Sequence, residues 1–241
     1  MRRAALRLRE TAIETIAVID FETTGISTAQ GARATEIAAV LVQGGQIVGR
    51  FQSLMNTGAW VPPFIEHLTG ISNELLRTAP PARAVMREAA QFTKGCPLVA
   101  HNAAFDRSFW LAELARADCE PDAAQAFACT VLLSRRLYPQ AENHRLGTLA
   151  KLHALPSAGR AHRALADAEV TAHLLLQMQR DVAQRFAAAL RGAPVSHRLL
   201  AALQRAQRTQ LERCVERAMA QALPAQPSDT PQAAHFLPRC A

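Results

Sequence analysis

A short apolar run, Ile16-Ala17-Val18-Ile19, ends directly on two carboxylates, Asp20 and Glu22, with one residue between them. The β-branched residues and the length of the run read as a buried strand over residues 15–21, broken by Thr24-Gly25. Residues two apart on a strand share a face, so Asp20 and Glu22 project together from its end. Two further acids follow. Asp106 comes just after the second apolar run, Pro97-Leu98-Val99-Ala100, and Asp167 comes five residues after His162. Carboxylates brought together repel one another. A fold that converges these four therefore calls for divalent cations to cancel their charge. Two such ions a few ångströms apart can activate a water and stabilise the leaving oxygen of a phosphodiester.

The rest of the pattern is α/β. Residues 37–42 read as a second strand, Gly44-Gly45 as a hairpin turn, and residues 47–55 as a third strand. Pro62-Pro63 opens a short helix that ends near Gly70. Pro80-Pro81 opens another, with Val85, Ala89 and Phe92 on one face, and Leu98 to Ala100 is a short buried strand. Residues 105–117 are helical, residues 127–133 pass from strand into helix, and residues 146–153 and 164–182 are helices. A three-strand meander followed by strand–helix alternation predicts a mixed sheet flanked by helices. Asp106 then falls in the first turn of a helix, where the macrodipole favours a negative side chain. An all-oxygen ligand set suits Mg²⁺ or Mn²⁺ far better than zinc. His162 carries the one side chain whose ordinary pKa suits taking a proton from water near neutral pH.

Charge is distributed unevenly. Residues 15–182 hold 15 basic and 15 acidic side chains, so the net charge of +7 comes from residues 1–14 (+2) and 183–241 (+5). Basic ends on a neutral core can hold a phosphate backbone, or serve solubility alone. The five cysteines form no C-x-x-C pair, which points away from zinc and disulfides and towards reduced thiols in the cytoplasm. No stretch reaches the length of a membrane span, and no apolar signal core follows the basic start, so no membrane partner is expected.

Three motifs carry a family resemblance. Asp20-Phe21-Glu22-Thr23-Thr24-Gly25, His101-Asn102-Ala103-Ala104-Phe105-Asp106 and His162-Arg163-Ala164-Leu165-Ala166-Asp167 resemble those of the DEDDh 3′→5′ exonuclease superfamily. The resemblance is to the branch of the epsilon proofreading subunit of bacterial DNA polymerase III and the exonuclease domain of Gram-positive replicative polymerases. It spans residues 15–182, and His67-Leu68-Thr69-Gly70-Ile71, Cys129-Thr130 and Leu146-Gly147-Thr148-Leu149-Ala150 match as well. It implies an RNase H-like fold with a five-stranded mixed sheet, and two Mg²⁺ or Mn²⁺ ions on Asp20, Glu22, Asp106 and Asp167. It implies His162 as general base, and release of 5′-mononucleotides from a DNA 3′ end that is single-stranded or frayed, in proofreading or repair.

Further positions are candidates for binding that end. The resemblance sets the backbone of Thr23 and Thr24, and the side chain of His67, near the terminal nucleotide; an ordinary strand-ending turn also explains the threonines. Asn102 either binds substrate or holds its own loop, and Phe105 either stacks on a base or packs under its helix. The sequence divides into a basic arm (1–14), the nuclease region (15–182) and a basic helical extension with a disordered tail from Pro224 (183–241). In the extension, Leu199, Leu203, Ala206, Leu211, Val215 and Met219 have near-helical spacing. That stripe either packs on the nuclease region or docks a polymerase subunit. Two other functions compete: an RNA-trimming exonuclease of the same superfamily, and a non-catalytic nucleic-acid or polymerase-binding module. A missing acid would favour the second, and none is missing.

Overall fold

A computed structural model describes residues 13–156 and 162–222; the basic stretch before Ile13 and the tail from Pro224 lie outside the described residues. Five strands, β1 (Thr15–Thr23), β2 (Ala34–Gln43), β3 (Gln46–Leu54), β4 (Leu98–Ala100) and β5 (Phe127–Cys129), form one sheet in the order β3-β2-β1-β4-β5. β1, β2 and β3 pair antiparallel, while β4 and β5 run parallel to β1. This is the mixed sheet that the strand–helix pattern predicts, with the five strands that the family resemblance implies. Among the described residues, ten α-helices lie between and after the strands: α1 (Pro63–Thr69), α2 (Asn73–Thr78), α3 (Ala82–Phe92), α4 (Ala103–Arg116), α5 (Thr130–Leu137), α6 (Leu146–Leu152), α7 (Ala164–Arg185), α8 (Ala187–Leu190), α9 (His197–Leu203) and α10 (Leu211–Ala222).

Period-two alternation on β1 decides where everything faces. Ala17, Ile19 and Phe21 pack with α3 and α4, where the Phe21 ring lies 6.4 Å from Phe109 and 6.5 Å from Trp110. Ile16 and Val18 pack on the other side with α7. Asp20 and Glu22 continue that second row, so both carboxylates face the helix that carries Asp167. Glycine supplies the stop for α1, where Gly70 takes φ 74° and its N–H bonds back to Glu66.

Several features depart from the sequence reading: β2 begins three residues earlier than expected, at Ala34, and α5 continues to Leu137. α2 is absent from that reading, because six residues with only Leu76 buried make no periodic stripe. Its signal is Ser72, whose side chain accepts from the Leu75 N–H at 3.1 Å, an N-cap. α7 runs three residues past the expected end, to Arg185.

The stripe of the extension is buried in the nuclease core. Leu199, Leu200, Leu203, Leu211 and Val215 join the cluster that holds Ile16 and Val18, and each is at most 2% exposed. Polar contacts fix the same docking. The Gln204 side chain accepts from the Cys129 N–H at 2.7 Å and donates to the Phe127 carbonyl at 3.3 Å, so it stands in for a missing neighbour along the edge strand β5. His197 places a ring nitrogen 2.9 Å from the Leu98 carbonyl, and Arg136 donates to the Ala206 carbonyl at 2.8 Å.

Candidate active site

The cleft forms where β1 ends. Asp20 and Glu22 lie opposite Ala38 and Glu36 of β2 in the strand register. Asp106 enters from the first turn of α4 and is 2% exposed; its carboxylate accepts from the Phe21 N–H at 3.3 Å. Asp167 enters from the first turn of α7 and accepts from the His162 N–H at 3.1 Å. His162 is exposed in the turn before α7, with φ 62°. The donor atoms of Glu22, His162 and Asp167 all lie within 4.8 Å of one another. A cleft of about 270 Å³ is lined by Asp20, Glu22, Thr23, Phe105, His162 and Asp167, with Ile26 and Leu68 on its apolar wall.

Burial and mutual repulsion hold these acids far from their ordinary behaviour. Burial raises the Asp20 carboxyl well above its usual range, helped by Asp106, Asp167 and Glu22. Glu22 is pushed up to about 8 by burial, then by Asp167 and Glu36, against the pull of Arg163. Asp106 is pushed up to about 8 by burial, although the Phe21 N–H opposes it. Asp167 is raised by burial too, with the His162 N–H working the other way. An oxygen-rich, mutually repelling donor set is the chemistry that a hard divalent cation satisfies.

Motif reasoning missed the clamp that sets Asp167 against β1. Glu36 sits directly across from Glu22, a costly like-charge pair. Arg163 covers it with two hydrogen bonds, at 3.1 and 2.7 Å, and the Ala164 N–H adds a third at 3.0 Å. Burial pushes the Glu36 carboxyl up, but hydrogen bonds from Arg163, Ala164 and Gln52 outweigh it and leave the carboxyl below its ordinary value. The N-terminus of α7 is thereby tied to β2. The signal was a lone charge in an apolar strand, Thr35-Glu36-Ile37. A second clamp, Arg33 on the buried Glu113 at 2.8 and 2.9 Å, ties the start of β2 to α4.

The remaining candidates divide. Thr23 Oγ1 donates to the Gly25 carbonyl at 2.7 Å, and Thr24 Oγ1 accepts from the Arg33 N–H at 3.0 Å, so both hydroxyls build the turn. Phe105 packs 4.9 Å from the Phe109 ring and also lines the cleft, so burial and an open side coexist. Asn102 is exposed, takes φ 68° at the start of α4, and faces a neighbouring cavity. His67 is exposed on α1, whose contribution to the cleft lining is Ile65, Leu68 and Thr69. His101 bonds Thr130 Oγ1 at 2.9 Å, and burial lowers its pKa to about 4.

Residues 17–175 match the RNase T family model, described as exonuclease. The chain belongs to this family of DEDDh 3′→5′ exonucleases. It is 38% identical over 182 residues to a PolC-type DNA polymerase III of Bacillus subtilis (strain 168), covering 76% of this chain and 12% of that protein. It is 40% identical over 172 residues to the 3′-5′ exonuclease DinG of the same organism, covering 69% of this chain and 18% of that one. The chain therefore spans a small fraction of these relatives. Among solved structures, exonuclease X in complex with 5′ overhanging duplex DNA superposes with a TM-score of 0.55 at 27% identity, covering 68% of this chain and 91% of that one. The family implies divalent metal ions, and the acids fit them. Among the described residues, no helix is long and apolar enough to cross a membrane.

Proposed function

We propose that the chain removes nucleotides one at a time from DNA 3′ ends, using two Mg²⁺ or Mn²⁺ ions. The observation that carries this reading is the convergence of Asp20, Glu22, Asp106 and Asp167 with His162 at the end of β1, in a chain of this family. Those four acids would hold the ions, which when bound supply charge neutralisation and a more acidic water. His162 takes the proton of the attacking water on a ring nitrogen, which its exposure and its place beside Glu22 and Asp167 allow. Water oxygen bonds to phosphorus, the bond to the 3′ oxygen of the preceding nucleotide breaks, that oxygen takes a proton from solvent to leave a new 3′ hydroxyl on the strand, and a nucleoside 5′-monophosphate is released.

Phe105, Ile26 and Leu68 form the side of the cleft suited to a terminal base, with the Thr23 to Gly25 turn shaping its edge. Asn102 would reach the strand from the adjoining cavity, and His67 would act only on substrate extending over α1. DNA is favoured over RNA by the kinds of protein to which the chain is 38% and 40% identical. Polymerase contact through residues 183–241 would use surfaces other than the buried Leu199 to Val215 stripe.

The test follows release from 3′-labelled and 5′-labelled single-stranded DNA, frayed duplex DNA and short RNA, with Mg²⁺, Mn²⁺ or EDTA. DNA shortened from its 3′ end, with all activity lost in EDTA, is expected. Full activity in EDTA, or digestion from the 5′ end, would overturn the proposal.

A further inference from the structure

A second cavity, of about 1000 Å³, adjoins the acid cleft and shares His162 and Asp167 with it as lining residues. Its chemistry is the reverse of the cleft's. Three fixed cations line it: Arg135 from α5, Arg145 at the start of α6 and Lys151 within α6. All three are exposed, and Asp167 is the single carboxylate in the lining. Among the described residues none of the three forms an ion pair. Val131, Leu146 and Val170 supply an apolar floor between them. The charge balance of residues 15–182 thus conceals a local separation, with acids at the end of β1 and cations beside them.

We propose that this cavity is the track of the substrate strand, with Arg135, Arg145 and Lys151 holding backbone phosphates on the 5′ side of the scissile linkage. Size and charge both assign the two spaces. The cleft of about 270 Å³, with Phe105 and Leu68 on its walls, has room for one nucleoside and repels extra phosphates. The cavity of about 1000 Å³ has room for a longer piece of strand, and its uncompensated cations attract a phosphate backbone. The shared residues, His162 and Asp167, then fall at the linkage between the last nucleotide and the strand behind it. His101 and His144 also line the cavity, bonded through Nδ1 to Thr130 and Ser134 at 2.9 and 3.0 Å, and burial lowers the pKa of both rings, so the fixed charges fall to the two arginines and the lysine.

This proposal rests on the exonuclease reading, and its test separates the two. The full chain and the variant Arg135→Ala/Arg145→Ala/Lys151→Ala are compared on a p-nitrophenyl ester of thymidine 5′-monophosphate and on a ten-nucleotide single strand. Strand binding is measured in parallel by fluorescence anisotropy across a salt series. Arg87→Ala, a cation exposed on α3, is the charge control. The triple variant is expected to lower the ratio of strand to ester kcat/KM by about tenfold or more, mainly through KM. Its anisotropy salt slope should flatten by about 2, from ~0.7 for each of three single-strand phosphate contacts. The single variants, each at an exposed position, should fall in between. An unchanged salt slope and ratio would overturn the track while leaving the exonuclease reading intact, as would an equal loss on both substrates or an equal loss in Arg87→Ala. Wild-type failure on both substrates would overturn the exonuclease reading, and the anisotropy slope would still decide the track.

Discussion

The acid cleft and the docked C-terminal helices share one face of the sheet and are built on opposite principles. In the cleft, Glu22 and Asp106 are held at a pKa of about 8 by burial, beside acids that repel them. In the extension, Leu200 and Leu203 are fully buried and Gln204 closes the edge of β5. One region lowers the stability of the fold to gather charge, and the other raises it without touching the acids. Functional sites break the packing rules that the rest of a chain obeys. Part of the compensating packing comes from beyond residue 175, where the family match ends.

The largest effect that would sharpen this contrast is on the cleft side. Asp167→Ala is expected to lose nearly all turnover and to melt no lower than the wild type in EDTA, because it relieves repulsion. Substantial remaining turnover, or a clear loss of metal-free stability, would break the contrast. His162→Ala should cost about 10² to 10⁴-fold in rate, the usual range for a general base. Calorimetry should show Mn²⁺ binding retained in that variant, and its loss would make His162 a ligand.

On the extension side the readouts should exchange places. Leu203→Ala leaves a cavity in a fully buried position and should cost about 2–5 kcal/mol of stability in urea melts. Gln204→Ala leaves the Cys129 N–H unsatisfied and should cost about 1–3 kcal/mol. In both variants the kcat of the folded protein should stay near wild type. A fall in kcat without a fall in stability would mean that β5 transmits to the site.

A last comparison is a pH dependence. The unfolded chain releases the Glu22 and Asp106 protons near the ordinary carboxylate pKa, whereas the folded chain keeps them to about 8. Between those limits the folded state binds more protons, so metal-free stability falls as pH rises from about 4 to about 8. The melting shift on adding Mn²⁺ should therefore grow from pH 5 to pH 8, and Glu22→Gln should flatten the metal-free profile. An equal Mn²⁺ shift at both pH values would break this assignment.

β1, β2 and β4 were legible because each carries an apolar run with an acid, a glycine or a proline at one end. β1 and α7 therefore stood near their observed bounds, and the motifs named the acids. α2 was not legible, since a six-residue helix with one buried side chain leaves no period to detect. The extension left two readings open because an amphipathic stripe has the same pattern whether it packs inward or docks a partner. Glu36 and Arg163 were passed over for a related reason: they sit 127 residues apart, and nothing local in either segment shows the bond between them.

The sequence by itself determined which side chains could perform the chemistry and which face of β1 they share, because strand periodicity and residue type are local properties. Only the tertiary structure decided that Glu36 and Arg163 set Asp167 against β1, that the Leu199 to Val215 stripe belongs to the core, and that a charge-balanced region separates into an acidic cleft and a basic cavity. Those facts depend on pairings between distant segments, whose geometry exists only once the sheet has formed and the helices have packed onto it.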